Sequence, residues 1–352
     1  HVAIEGVSNV LTKVIEWGRL ASYLEQSTRY VPYDTQVDGR WKYHRPAGIA
    51  AQPELLGEYE RVLDDAFATY ARLNQQVLDH LLATEGTDPG DAAAMRALRA
   101  RALDAVRGML PAATTANLGV YASGQAWEAM VIRLRAHPLA EARVVGDQVL
   151  AQLRHVIPDF LTRTDRPDRG ERNGDYRRAT DERAADMAAT NPWGQVPAGS
   201  PPVEGTSQVR LLEWDPDGEA RVLAHALWPT SGLPLEEVRA RVAAMPRDDV
   251  ARMLGEWADG RADRRERPGR ALEATDYLFE ITCDYGAYRD LQRHRLLTLE
   301  AQPLGATLGV EPSPDAEAAG VGDEFARVHE ASAALWRQVL DVVPDEAPYA
   351  VT

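Results

Sequence analysis

The chain has 352 residues, 45% hydrophobic and 26% charged, a balance that fits an ordinary soluble globular protein long enough for two domains. A formal net charge of −15 argues against broad, sequence-blind nucleic-acid binding, and neither a membrane-length apolar run nor a signal-peptide pattern is present. The single Cys283 excludes a disulfide framework and a multi-cysteine zinc site and points to a reducing cytosol.

The opening residues VAIEGVSNVLTKVIEWGRLASYLEQSTRY read as a strand end, a helix, and then a stretch in which Glu25, Ser27 and Arg29 alternate. From Pro53 to Glu85 the spacing predicts a helix, with Leu56, Tyr59, Leu63, Phe67 and Tyr70 near one face. TDPGD breaks it, and AAAMRALRARALDAVRGML forms a second helix stopped by Pro111. GQAWEAMVIRLR places Trp127, Val131 and Leu134 on one face of a third helix, and LAEARVVGDQVLAQLRHV ends a fourth before Pro158.

Residues 163–206 are rich in charge, Gly and Pro, lack apolar periodicity and read as a linker or surface excursion. VRLLEWDPDGEARVLAHALW is a hairpin or a strand–turn–helix, followed by helices in EEVRARVAAM and DDVARMLGEWADG. YLFEITC has strand chemistry, its Cys283 is expected to be a buried structural thiol, and the residues after it look helical. EFARVHEASAALWRQVLDVV is a helix and YAVT a short tail. Arginine far outnumbers lysine, which occurs only as Lys13 and Lys42, so arginines carry information only within a motif. His137 and His155 are isolated by spacing, so no metal site is indicated, and His44 after WKY has no assigned role.

Taken alone, Glu25 and Arg29 four residues apart would be an ordinary helical ion pair. Arg293-His294-Arg295 alone would be a solvated helix face. Together they resemble the two ends of the flavin-dependent thymidylate synthase signature, R-H-R-x-x-S-x-N-E-x-S-x-R-Y. Ser22, Glu25, Ser27, Arg29 and Tyr30 fall on motif positions, while Trp17-Gly18-Arg19 stands at the R-H-R and Leu24 replaces the Asn. The second segment keeps Arg293, His294 and Arg295 but continues as LLTLEAQPLGA, without the serine–arginine end. Arg107-Gly-Met-Leu-Pro111 resembles the family's R-x-x-L-P, and LRAHPLAEAR resembles its L-R-(x)4-A-Q-x-E helix. Two departures stand out: Glu141 sits where the family prefers Gln, and Ser123-Gly124-Gln125 lacks its Asn-x-Arg.

The resemblance implies a helix-rich α+β chain made of two tandem copies of that fold, each a twisted antiparallel sheet with long helices. Residues 1–162 would be the first copy with the nucleotide-binding residues, 163–206 the linker, and 207–352 the N-terminal part of a second copy, the chain starting and stopping inside its copies. The implied reaction is reductive methylation of dUMP to dTMP with FAD, NADPH and methylenetetrahydrofolate. Arg135 and Ser27 would be catalytic, Glu25, Ser27, Arg29, Arg107 and Arg135 would bind nucleotide, and Arg293, His294 and Arg295 would hold FAD. Planar, permanently charged guanidiniums suit a phosphate, which supports the arginine assignments. A cytoplasmic homo-oligomer, a dimer of tandem chains, is expected, with neither nucleic acid nor membrane as partner. Two other readings remain open: a C5-modifying enzyme for another uridine nucleotide, and a non-catalytic nucleotide- or flavin-binding homologue.

Overall fold

The computed structural model describes residues 1–88, 90–191, 208–263 and 265–352. Strand β1 (Val2–Ser8) runs into helix α1 (Asn9–Glu16), where the Ser8 hydroxyl caps the new helix by accepting from the Leu11 amide at 2.9 Å. Gly6, at φ +68°, lies where the pairing register of β1 shifts, and a left-handed residue of this kind favours glycine. Strand β2 (Ala21–Glu25) follows, so the start of SYLEQSTRY is a strand and its end a turn.

Helices α2 (Ala47–Ala50), α3 (Pro53–Glu85) and α4 (Ala92–Val106) come next. Pro53 opens α3 and Gly86, at φ +61°, closes it, so its ends fall where the sequence places them. Tyr59, Leu63, Phe67 and Tyr70 are fully buried along it. A short 3-10 turn over Arg107–Met109 leads to strand β3 (Thr115–Ala122), which lies between β1 and β2 and pairs antiparallel with both. Its inward Ala116, Leu118 and Val120 meet the core.

Helix α5 (Gly124–Ala136) buries Trp127, Val131 and Leu134, and α6 (Ala140–Arg154) packs beside it. Gly124 is a close-packing position, since a Cβ there would lie 2.5 Å from the Phe160 ring. Residues 163–206, read from sequence as irregular, contain helix α7 (Gly170–Ala189); residues 192–207 lie outside the described ones. Small residues and a cation hold α7 in place of an apolar stripe. A Cβ on Gly174 would lie 3.2 Å from that of Ala136, and the Arg177 guanidinium stands over Trp17 at 5.5 Å. Apolar periodicity has nothing to register there.

Two compact units result: His1–Gly205 with Asp284–Thr352, and Thr206–Cys283. In the smaller unit, strand β4 (Gln208–Trp214) turns into helix α8 (Gly218–Ser231), followed by α9 (Leu235–Ala243), α10 (Arg247–Trp257) and strand β5 (Tyr277–Thr282). β4 and β5 pair antiparallel, and Leu223, Val238, Val242 and Val250 form a small separate core. VRLLEWDPDG is thus a strand–turn–helix. Cys283, expected to be buried, is only half-buried just past β5.

Residues 284–352 fold with the first unit. Helix α11 (Tyr285–Gln292), helix α12 (Pro314–Ala318) and helix α13 (Gly322–Val342) all belong there. The helical reading after Cys283 holds only to Gln292. α13 lies against α3, with Arg327 bridging to Asp65 at 2.7 Å and Thr69 at 3.0 Å and Glu324 paired with Arg72. Glu346 caps α2 from afar, accepting from the Gly48 and Ile49 amides at 2.9 and 2.8 Å. The YAVT tail is interior: the Ala112 amide donates to the Val351 carbonyl at 2.7 Å. The chain is therefore a helix-rich α+β protein with small antiparallel sheets.

Glu141 fastens that tail. Its carboxylate accepts from the Ser8 amide (2.8 Å), the Ser8 hydroxyl (2.6 Å) and the Tyr349 hydroxyl (2.8 Å), all buried. Burial and the facing carboxylate push the Tyr349 phenol far above its ordinary range, so it stays a donor. Replacing Glu141 by Ala orphans three donors and should cost about 3 kcal/mol, read as a lower urea midpoint at unchanged slope.

Two histidines add an acid limit. Burial, with the charges of Arg133, Arg143 and Arg177, lowers His137 to about 4, and burial alone lowers His329 to about 4. Their unfolded forms take up protons near pH 6.5, so the folded state is favoured above that pH and loses stability as pH falls towards 4. The loss should be on the order of 3 kcal/mol per histidine. His329→Gln should flatten the pH dependence of the melting temperature between pH 6.5 and 4.

Candidate functional site

The alternation of SYLEQSTRY divides at Glu25, the last residue of β2. Strand geometry turns Ala21, Tyr23 and Glu25 to one side. There α1 presents Lys13, whose ammonium lies 2.7 Å from Glu16 one turn on and 3.2 Å from Glu25. Arg289 of α11 reaches Glu25 from the other end of the sequence, at 2.8 Å. All four side chains are at most 10% exposed. α11 is seated on α1 by two further bonds: the Tyr285 hydroxyl donates to the Asn9 carbonyl and the Gln292 amide to the Lys13 carbonyl, each at 2.8 Å.

The two carboxyls of this cluster are driven apart. Burial raises Glu16 above the usual carboxylate range, against the pull of Lys13. Burial acts on Glu25 in the same sense, but the Lys13 and Arg289 cations outweigh it and hold Glu25 below that range. Glu25 is thus a fixed anion and Glu16 the group that takes a proton first.

Beyond Glu25 the chain leaves the sheet in a turn. The Gln26 amide donates to the Asn117 carbonyl at 2.9 Å, and the Ser27 carbonyl accepts from Tyr30 and Val31. The Ser27 hydroxyl accepts from the Arg29 amide at 3.3 Å, as serine commonly does in turns. Glu25 and Arg29 are therefore not a helical ion pair: the backbone between them is strand and turn, and Glu25 takes its cations from α1 and α11. Among the described residues, the buried Nε of Arg29 has no hydrogen-bond partner, and neither has the hydroxyl of Tyr33.

Arg107, opening the 3-10 turn after α4, joins this neighbourhood. It pairs with Asp104 at 2.8 Å, and a Cβ on Gly286 of α11 would lie 3.2 Å from its guanidinium. Burial, then the like charges of Arg29 and Arg289, lower its pKa against the opposing carboxylates of Asp104 and Asp284. The structure therefore gathers Glu25, Ser27, Arg29 and Arg107, and adds Arg289, Lys13 and Tyr33. A concentration of guanidinium charge with an unsatisfied buried N–H is chemically suited to a phosphate.

Other expected residues stand apart from this group. Arg135, at the end of α5, is held by Asp147 at 2.7 Å and by Glu171 at 3.8 Å. Arg293 is exposed and paired with Asp290 at 2.9 Å, His294 is exposed, and Arg295 donates to the Ala21 carbonyl. Sequence reasoning missed Lys13, Glu16 and Arg289. Lys13 carried a signal, being one of two lysines in an arginine-rich chain. Arg289 carried none, because its partner is 264 positions away in Glu25 and only the fold joins them.

Residues 1–159 match the family model described as thymidylate synthase complementing protein. Through these residues, just under half of the chain, it is similar to that family. Across its whole length it is 34% identical to a UPF0159 protein of Chlamydia pneumoniae, over 357 aligned residues, and it spans 66% of that protein. A UPF0159 protein of Thermoplasma acidophilum is 29% identical over 89% of the chain, which spans 65% of that relative. A flavin-dependent thymidylate synthase of Mycolicibacterium vanbaalenii is 32% identical over 161 residues, covering 45% of this chain and 59% of that enzyme. The chain thus spans just under two thirds of its full-length UPF0159 relatives.

Glu25, Ser27, Arg29 and Arg107 lie inside the region that matches the family model, and the buried cluster is what fixes their geometry. Lys13→Met should destabilise the protein by about 3 kcal/mol at neutral pH, because it leaves two buried carboxylates to a single guanidinium. The raised Glu16 is neutralised as pH falls, so the deficit should shrink from pH 7 towards pH 5. Chemical denaturation at several pH values reads both effects.

Proposed function

We propose that the chain acts as a flavin-dependent thymidylate synthase, methylating dUMP to dTMP with methylenetetrahydrofolate and NADPH, in a cytoplasmic setting. The observation that carries this reading is the convergence of Arg29 and Arg107 beside Glu25, within a region that matches the thymidylate synthase complementing protein family model. Arg29 and Arg107 would bind the nucleotide phosphate through bidentate, charge-assisted hydrogen bonds. The turn at Ser27 would supply backbone and hydroxyl donors. Glu25, kept ionised by Lys13 and Arg289, would accept from sugar hydroxyls or the ring N–H.

Arg135 would act on the pyrimidine only after exchanging Asp147 for substrate, so its assigned role includes breaking an ion pair of 2.7 Å. Arg293, His294 and Arg295 fit a flavin diphosphate in charge, and the exposed ion pair of Arg293 with Asp290 is weak enough for it to turn to one. FAD, once bound, would supply the hydride chemistry, while the protein binds, orients and excludes water. In this reading the chain is a tandem duplication whose first copy keeps the nucleotide wall and whose second keeps the flavin clamp. A homo-oligomer of such chains would assemble the complete enzyme.

The test is the absorption spectrum of the purified protein with FAD, before and after dUMP. A bound-flavin spectrum that dUMP perturbs is expected. Arg29→Ala should weaken dUMP at least tenfold, and Arg293→Ala should reduce FAD retention. Absence of flavin binding, together with unchanged dUMP affinity in the Arg29 variant, would overturn the proposal. Turnover of UMP in preference to dUMP would replace the substrate and keep the chemistry.

A further inference from the structure

The contacts between α1–β2 and the segment containing α11 are reciprocal. Arg19 donates to the Leu297 carbonyl at 2.8 Å, and Arg295 donates to the Ala21 carbonyl. Arg19 and Arg295 are 276 positions apart, and so are Ala21 and Leu297, the same separation as the bonded pair Asn9 and Tyr285. The helix caps obey the same rule: Ser8 caps α1 and Asp284 caps α11, each accepting from the amide three residues on. Lys13 and Arg289 are equivalent cations in this relation, and both reach Glu25. Residue i meeting j while the equivalent of j meets the equivalent of i is the pattern of an isologous, twofold interface. Here it occurs within one chain.

A twofold relation would provide two equivalent sites, yet the residues have diverged. The positions equivalent to Glu25, Ser27 and Arg29 are Ala301, Pro303 and Gly305, which carry neither charge nor hydroxyl. Lys13, the equivalent of Arg289, is spent on Glu16 and Glu25. On the retained side, Glu25 occupies part of the Arg289 fork, whose buried Nε, like that of Arg29, has no hydrogen-bond partner among the described residues. Arg107 closes on the same place beside Gly286. Among the described residues, guanidiniums therefore gather on one side of the pseudo-twofold, while the positions equivalent to Glu25, Ser27 and Arg29 on the other carry no charge.

We propose that Arg289 completes a single phosphoryl-anion site per chain, where the exit of β2 meets α11, and that the twofold-related position binds none. The nucleotide reading above identifies the anion as the phosphate of dUMP; the site itself is defined by its charge. Arg289 serves as both clamp and ligand: it fixes Glu25 and turns its remaining donors to the anion. The two ends of the sequence are thereby required for one binding event.

Calorimetric titration of the full chain with dUMP, and separately with inorganic phosphate, tests this. One equivalent should bind per chain. Glu25→Gln frees the guanidinium, so phosphate should bind that variant as tightly as wild type or tighter. Adding Arg289→Gln to Glu25→Gln should then weaken phosphate at least tenfold, with Arg289→Lys restoring part of it. Because the double variant removes both charges together, it avoids a buried unpaired carboxylate and keeps the fold. Binding of phosphate but not dUMP, at one per chain and dependent on Arg289, would keep this site and overturn the nucleotide reading. Two equivalents per chain, equal affinity in the single and double variants, or no binding of either probe would overturn the site.

Discussion

Four charges meet almost out of water where β2, α1 and α11 converge, and the rest of the larger unit is arranged to make that tolerable. Removing a carboxylate or an ammonium from water costs several kcal/mol, recovered only when the geometry is close and the partners are complete. Lys13 serves Glu16 and Glu25, and Arg289 closes on the free side of Glu25. Neither α1 nor α11 could bury its cation alone. The cluster therefore ties β2 to a helix residue 264 positions later and fixes where β2 releases the chain into the Ser27 turn.

The helices around it supply the rigidity this demands. α3 carries a continuous buried face and receives α13 across it, so the last stretch of sequence packs beside one of the first helices. Glu346 on α2 and Glu141 on Ser8 and Tyr349 repeat a single device, a distant carboxylate satisfying backbone or hydroxyl donors at an element's end. Glu141, a departure from the family's preference for Gln, acts here as an anchor for the C-terminal segment. With the backbone held from several sides, Arg29, Arg107 and Arg289 stay close despite their mutual repulsion. An arrangement that keeps three guanidiniums together, with buried N–H groups of Arg29 and Arg289 unpartnered among the described residues, is poised for an anionic ligand.

The helices were legible because burying one face of a helix writes a 3.6-residue period into the sequence. Pro53 and the TDPGD break marked the limits of α3, and the structure shows the caps themselves at Gly86, Asp91 and Ser123. Helix α7 was not legible, since small residues and a cation–π contact hold it and leave no apolar stripe. The extent of the compact units was not legible either. The change in composition at residue 206 coincided with one boundary, but the return of the chain at Asp284 left no mark in its text.

For the site, the sequence by itself determined the chemical types and their order: Glu25, Ser27 and Arg29 in one stretch, Arg107 and Arg135 in two others, and the R-H-R triplet far along. The tertiary structure decided which of these meet. It joined Glu25, Arg29 and Arg107, gave Arg135 to Asp147, and brought in Lys13 and Arg289. The reason is physical: a motif records what a local segment must contribute, whereas an ion pair between residues 25 and 289 exists only once the intervening chain has folded back on itself.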